Sequence, residues 1–234
     1  MSGTLINVGT VLLGTLIGVV IGRRLPPGLH ERVLAGLGLV TLVLGVDNAL
    51  EWRHTSPLIV FGAVLLGGIV GELLGIERGI ERLGDAVQRR LAGEHGESRV
   101  SEGFVTASLL FCVGPLTVVG SIQDGLTGDN ATLVSKALLD GFAAIALAGT
   151  LGWGVGLAAL TVLLVQGAIS LGAGAFEDVL SEGSEALAAL VSAGGILIIG
   201  ISLKLLGLKD VKVGNFLPAL LIAPVLVGVV ALFE

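Results

Sequence analysis

The chain has no tyrosine, one methionine, one cysteine and three histidines, and 14% of its 234 residues are charged. The single cysteine, Cys112, excludes an internal disulfide and a thiolate metal cluster. His30 and His54 stand at the ends of apolar segments and His95 in a polar link, so no zinc or haem ligand set forms. A serine nucleophile would lack its histidine, and a membrane aspartyl dyad would need a second deep aspartate beside Asp140. Phosphate-binding and dinucleotide fingerprints are missing as well; the glycine-rich stretch 149–156 is apolar and shows no strand–loop–helix pattern. The net charge of −6, from 13 basic and 19 acidic residues, argues against nucleic acid as a partner. These absences argue against an enzyme, and no cofactor or metal is expected.

Apolar sequence fills the space. Soluble domains carry about 25% charged residues, and here the share is roughly half that. Hydrophobic residues make up 53%, glycine occurs 38 times and the mean hydropathy is +0.99. A bilayer core about 30 Å thick needs ~20 apolar residues per helix. That window predicts an all-α, polytopic membrane helix bundle of about eight spans in one domain, 1–234. The spans fall near 3–22, 30–50, 57–76, 102–122, 131–150, 153–175, 186–206 and 214–233. Segment 3–22 has no basic residue before it and Arg23 and Arg24 after it, the reverse of a secretory signal. Ser56 with Pro57, Asp129 with Asn130, and Ser184 read as helix starts. The link at 150–153 is short enough that a broken or re-entrant element is a second reading there.

Basic residues orient the bundle. With the N-terminus outside, Arg23, Arg24, Arg32, Arg78, Arg82, Arg89, Arg90, Arg99, Lys204, Lys209 and Lys212 all fall inside, against Arg53 alone outside. Both termini are therefore expected outside. Apolar residues at 76, 80, 83, 87 and 91 share one helical face, with arginines on the rest. A basic amphipathic helix on the inner leaflet is one reading, a helix packed on the inner loops the other. The stretch 93–98 is the best linker.

The starts of spans one to three (3, 30, 57) and six to eight (153, 186, 214) are offset by about 150–157 residues, and an offset of five spans inverts orientation. This layout fits an inverted-topology repeat of the kind secondary transporters use. Chance alignment of Gly/Leu/Val-rich segments fits it equally.

Several residues stand in hydrocarbon without an obvious reason. Span four contains Cys112, Gly114, Pro115, Gly120, Ser121, Gln123 and Asp124. Pro115 removes a backbone donor and clashes with the carbonyl four residues back. Freed backbone groups survive in a membrane only when buried in protein or lining a wet cavity. A broken helix at a ligand site and a simple packing kink are the two readings. Span five supplies charge: Lys136 and Asp140 share a face at i, i+4, with Ser135 beside them. At ~1.5 Å per residue, Asp140 lies about 13 Å below the span's start, where an isolated charge costs at least ~2.5–3.5 kcal/mol. Asn7, Gln166 and Asn215 are further polar residues within spans. Glu72 and Lys204 are close enough to an interface to snorkel. Asp47 and Asn48 fit a loop role, and Gly14, Gly18, Gly67, Gly68 and Gly71 fit close helix packing.

The run CVGPLTVVGSIQDGLTGD at 112–129, followed by SKALLDG at 135–141, resembles the core signature of the YqgA/YdfK-like family. GTLIN at 3–7 and NFLPA at 215–219 resemble that family's ends, so the likeness spans nearly the whole chain. Leu116 departs conservatively from the methionine expected in many relatives. The resemblance implies a prokaryotic inner-membrane protein of unknown function and specifies no substrate. Taken together, two functions are expected. One is a small secondary transporter or ion-translocating homo-oligomer. Its midplane site for a small ion or metabolite would draw on Asp140, Lys136, Ser135, Gly114, Pro115, Gly120, Ser121, Gln123, Asp124, Cys112, Asn7, Gln166 and Asn215. The other is a lipid-embedded scaffold or sensor whose polar residues only fix helix packing.

Overall fold

Glycine, leucine and valine runs of about twenty residues cannot leave backbone groups unpaired in lipid, so they close their hydrogen bonds within helices. The computed structural model describes residues 1–22, 26–80, 82, 100–113 and 115–232, all helix, turn or coil with no strand among them. The helices bounded within the described residues are, in order, α1 (Ser2–Gly22), α2 (Pro27–Ala49), α3 (Pro57–Leu74), α4 (Val100–Cys112), α5 (Pro115–Leu126), α6 (Ala131–Leu151), α7 (Gly154–Leu171), α8 (Ala173–Leu180), α9 (Glu185–Leu205) and α10 (Ala219–Val230). Single 3-10 turns at Leu50–His54 and Val213–Phe216 extend α2 and precede α10.

Among the described residues seven helices are long and apolar enough to cross a membrane, and α4 with α5, bent by 62°, makes an eighth if the pair is one span. This bears out the helical membrane bundle. The sixth expected span is shorter than its apolar run: α7 stops at Leu171 and Gly172 turns the chain into α8. The 150–153 link is a tight turn between α6 and α7, with Gly152 at φ +78, a backbone conformation side chains disfavour. Ser184 caps α9 through Leu187 N–H, and Asp129 accepts from Ala131 N–H. Ser56 differs from expectation. Its side chain makes no cap bond, and its backbone N–H instead donates to Glu185 Oε1 at 3.2 Å. Of the expected amphipathic segment, residues 76–80 are helical and most of the rest lies outside the described residues.

α9 is the hub, with 78% of its apolar window buried, whereas α2 buries 17%. Exposed leucines and valines on α1, α2, α3 and α10 cover the outside, as lipid requires. Glycines set the register. Gly14, Gly18 and Gly22 of α1 lie against Gly141, Ile145 and Gly149 of α6, so those two helices run parallel. Three other pairs are antiparallel: α1 on α7 (Thr15 against Gly156, Met1 against Gly167), α2 on α9 (Gly38 against Leu206, Gly45 against Ile199), and α3 on α10 (Gly62 against Leu226, Gly71 against Asn215). α4 meets the first half of α7 and α5 its last turns, through Gly154 on Val100, Ser108 on Thr161 and Gly125 on Ser170. The bent pair therefore keeps one direction along α7.

Candidate functional site

α1 buries one stripe, Gly3, Thr4, Asn7, Val11, Gly14, Thr15 and Gly18. The spacings of three and four place them on one helical face. α6 turns Leu133, Lys136, Ala137, Asp140 and Ala144 inward by the same rule. Where the two faces meet, Asp140 Oδ2 accepts from the Lys136 ammonium and, at 2.8 Å, from Asn7 Nδ2. The Lys136 and Asp140 side chains are 7% and 8% exposed. Two opposite charges plus an amide donor satisfy most of what burial would otherwise leave bare. The i, i+4 pairing is thus realised, and Asn7 joins it from another helix.

α1, α5, α6 and α7 all touch one another. Three of these helices carry buried polar atoms with no partner among the described residues: Thr4 Oγ1 and Asn7 Oδ1 on α1, Ser121 Oγ on α5, and both Gln166 Nε2 and Oε1 on α7. All four residues are fully buried. A buried polar atom left bare costs about 1–3 kcal/mol, so five of them on helices that touch require an explanation.

The break in the fourth span is satisfied from within. Pro115 has no N–H for the Phe111 carbonyl four residues back, and the Thr117 hydroxyl donates to that carbonyl instead, at 2.9 Å. Asn48 Nδ2 reaches the Val113 carbonyl at 3.4 Å. Thr117→Val keeps the shape and orphans the Phe111 carbonyl. We expect it to cost about 1–3 kcal/mol in denaturant unfolding of the detergent-solubilised protein, and an unchanged midpoint would refute the role.

The other sequence-selected residues divide by place. Asp124, its side chain 1% exposed, holds the first turn of α1: it accepts from Gly3 N–H at 3.2 Å and the Ser2 hydroxyl at 3.5 Å, and lies 2.8 Å from the Met1 amino group. Its carboxylate complements the positive helix start. Gln123 Oε1 accepts from Thr132 and ties α5 to the start of α6. Gly120 packs against Leu133 and Thr132. Cys112 ends α4 half-buried, within reach of the Lys136 and Asp140 charges. Pro115 opens α5, and Gly114 lies outside the described residues. Ser135 is exposed and bonds back to the Ala131 carbonyl, so it does not join the pair.

Asn215 also belongs elsewhere. It sits at the opposite end of the bundle, donating to Glu72 Oε2 at 2.5 Å and accepting from Glu77 N–H at 2.8 Å. Glu77 Oε2 in turn accepts from Gly214 N–H at 2.7 Å. Glu72 is therefore a bonded residue, where a snorkelling one was expected. Beside this staple lies a polar cavity of about 290 Å³, whose lining includes Glu77, Glu102, Thr106 and Lys204. A larger apolar groove of about 650 Å³ runs past the break, between Val113, Val118, Phe176 and Leu221. Neither includes Lys136 or Asp140.

Fold and site define an integral membrane protein, all-helical in its described residues, with a charge pair and a bare polar cluster enclosed at one end of its bundle. The chain belongs to the DUF554 family, described as a protein of unknown function, which matches residues 2–228. That bears out the resemblance carried by 112–129 and 135–141. The chain is 30% identical to the uncharacterized membrane protein YdfK of Bacillus subtilis (strain 168) over 235 residues, covering 100% of this chain and 98% of that protein. It is 28% identical to the uncharacterized protein YqgA of Escherichia coli (strain K12) over 224 residues, covering 94% of each. No solved structure gives a significant match.

Proposed function

We propose that this protein is a small secondary transporter or ion-translocating protein of the prokaryotic inner membrane, with Asp140 as its ion-responsive group and Lys136 as the internal counter-charge. The observation that carries the reading is the Lys136–Asp140–Asn7 cluster buried inside membrane helices beside polar atoms that have no partner. Ionisable groups within spans mark ion and substrate pathways by default. The antiparallel packing of α1 on α7, α2 on α9 and α3 on α10 supports the reading further. It pairs each member of the first triplet with its counterpart in the second, as an inverted repeat would. The basic-residue bias orients the termini outward. The protein works as a homo-oligomer binding a small ion or metabolite, and it is not an enzyme.

The closed pair favours a second reading. Lys136 and Asp140 are almost fully buried, as in a scaffold whose charges only fix packing.

Thermal unfolding in detergent against a panel of ions and small metabolites separates the two, with Asp140→Asn alongside. A ligand at 100 times its Kd stabilises by ~2.7 kcal/mol. The transporter reading expects such a shift in the native protein and its loss in the variant. Transport or ligand response retained in full by Asp140→Asn would sink the assignment.

A further inference from the structure

Asn7 fixes the polarity of the bare cluster. A carboxylate accepts hydrogen bonds and does not donate, so Asn7 must present its Nδ2 to Asp140. That turns Oδ1, an obligate acceptor, away from the pair, where it finds no partner among the described residues, as Thr4, Ser121 and Gln166 also do not. The four meet by register. Asn7 lies one turn below Gly3, whose N–H reaches Asp124, and Ser121 lies about one turn below Asp124 on the antiparallel α5. Gly125 of α5 lies against the Ser170 carbonyl of α7, and the two helices run the same way. Ser121 and Gln166, each four residues earlier, therefore stand at about one level, and the Ser170 hydroxyl reaches the Ser121 carbonyl at 2.9 Å between them.

We infer that Thr4 Oγ1, Asn7 Oδ1, Ser121 Oγ and Gln166 Oε1 form a binding site for a dehydrated monovalent alkali cation, next to the Lys136–Asp140 pair. Asn7 Oδ1 repels an anion. Hydroxyl and amide oxygens are hard ligands that suit alkali cations, while transition metals call for the imidazole or thiolate that this space lacks. A divalent ion would need carboxylates of its own. Asp140 already faces Lys136, and Asp124 faces the Met1 amino group and the first turn of α1. The enclosure is close to charge-neutral before the ion enters, which matches a single positive charge held by neutral oxygens. Bound there, the ion lies beside Asp140 and shifts its balance with Lys136. This inference rests on the transporter reading for its purpose and on the bare oxygens for its existence.

The test uses the full chain in detergent, with sodium, potassium or lithium chloride replacing choline chloride at constant ionic strength. We expect at least one of these cations to raise the unfolding midpoint saturably, by about 5–10 °C near 100 times its Kd. Gln166→Leu and Ser121→Ala should each lose most of that shift. Gln166→Leu should also equal or exceed the native protein in choline, because it removes two bare polar atoms, and fall below it in the saturating cation. If no alkali cation acts, or if both variants respond in full, the oxygens hold water only and the inference fails. Proteoliposome flux of the same cation is a separate arm. A binding shift without flux leaves the site standing and removes the transporter reading. Flux dependent on Asp140, with no alkali-cation shift, does the reverse.

Discussion

Lys136→Met alone is expected to destabilise the protein by about 3–5 kcal/mol, because it strands the Asp140 carboxylate in a site that is 8% exposed. Asn7 Nδ2 remains as a donor at 2.8 Å, but one neutral hydrogen bond does not replace an ammonium. Adding Asp140→Asn to the same chain should recover most of the loss. The double variant has no charge left at this site, an amide still bonds Asn7, and replacing a buried pair outright is often neutral or stabilising. Denaturant unfolding of the two single variants and the double one gives the coupling energy directly. Strict additivity would mean that the two groups do not act on each other in the folded protein. The same double variant divides the functional readings. A scaffold tolerates it fully, whereas the transporter keeps its fold and loses its ligand response.

How much of this was legible in the sequence depends on the range of the interaction. Spans follow from hydrocarbon thickness, which acts on every twenty-residue window, so the bundle was readable. The Lys136–Asp140 pair lies within one helical turn and was equally readable. Asn7 and Gln166 stood out as amides in apolar segments, although nothing in the sequence said that both would end at one level. Thr4 was missed because a threonine in an apolar helix normally bonds the carbonyl four residues back, as Thr15 does with Val11. At Thr4 no such bond forms, and its hydroxyl stays bare. Asn215 was grouped with Asp140 on polarity alone. Its place at the start of the last expected span, next to the inner Lys212, already set it apart from mid-span Asp140, but its partner Glu72 is 143 residues away and could not be read. The seal on the Pro115 break escaped for a similar reason. Thr117 is local, but its relation to the Phe111 carbonyl depends on the bend, and Asn48 comes from another helix.

The same substitution should have opposite effects at two glycines of α1. At Gly9 nothing lies within 4 Å of an added Cβ, so Gly9→Ala gains helix propensity, about 0.8–1.0 kcal/mol. At Gly18 an added Cβ would stand 2.3 Å from the Ile145 carbonyl oxygen and 2.9 Å from Ala148 Cβ. Gly18→Ala therefore forces α1 and α6 apart and costs at least the ~1–3 kcal/mol typical of overpacking. The cost belongs at the top of that range, because the obstacle is backbone and cannot change rotamer. A Cβ added at Gly14 or Gly22 would likewise stand 2.4 or 2.3 Å from the Gly141 or Gly149 carbonyl oxygen, so sliding along the helix only moves the clash to a neighbour. Separation also acts on the site. Asn7 reaches Asp140 across this interface, and the helix spacing that the glycines set is what brings the amide within bonding distance. Unfolding midpoints of the two variants, each measured in choline and in the alkali cation, read both effects. Gly18→Ala should lower stability and blunt the cation response together, while Gly9→Ala leaves the response intact. Equal midpoints for the two variants would show that the stripe does not set the spacing, and the route from the α1–α6 interface to Asp140 would fall with it.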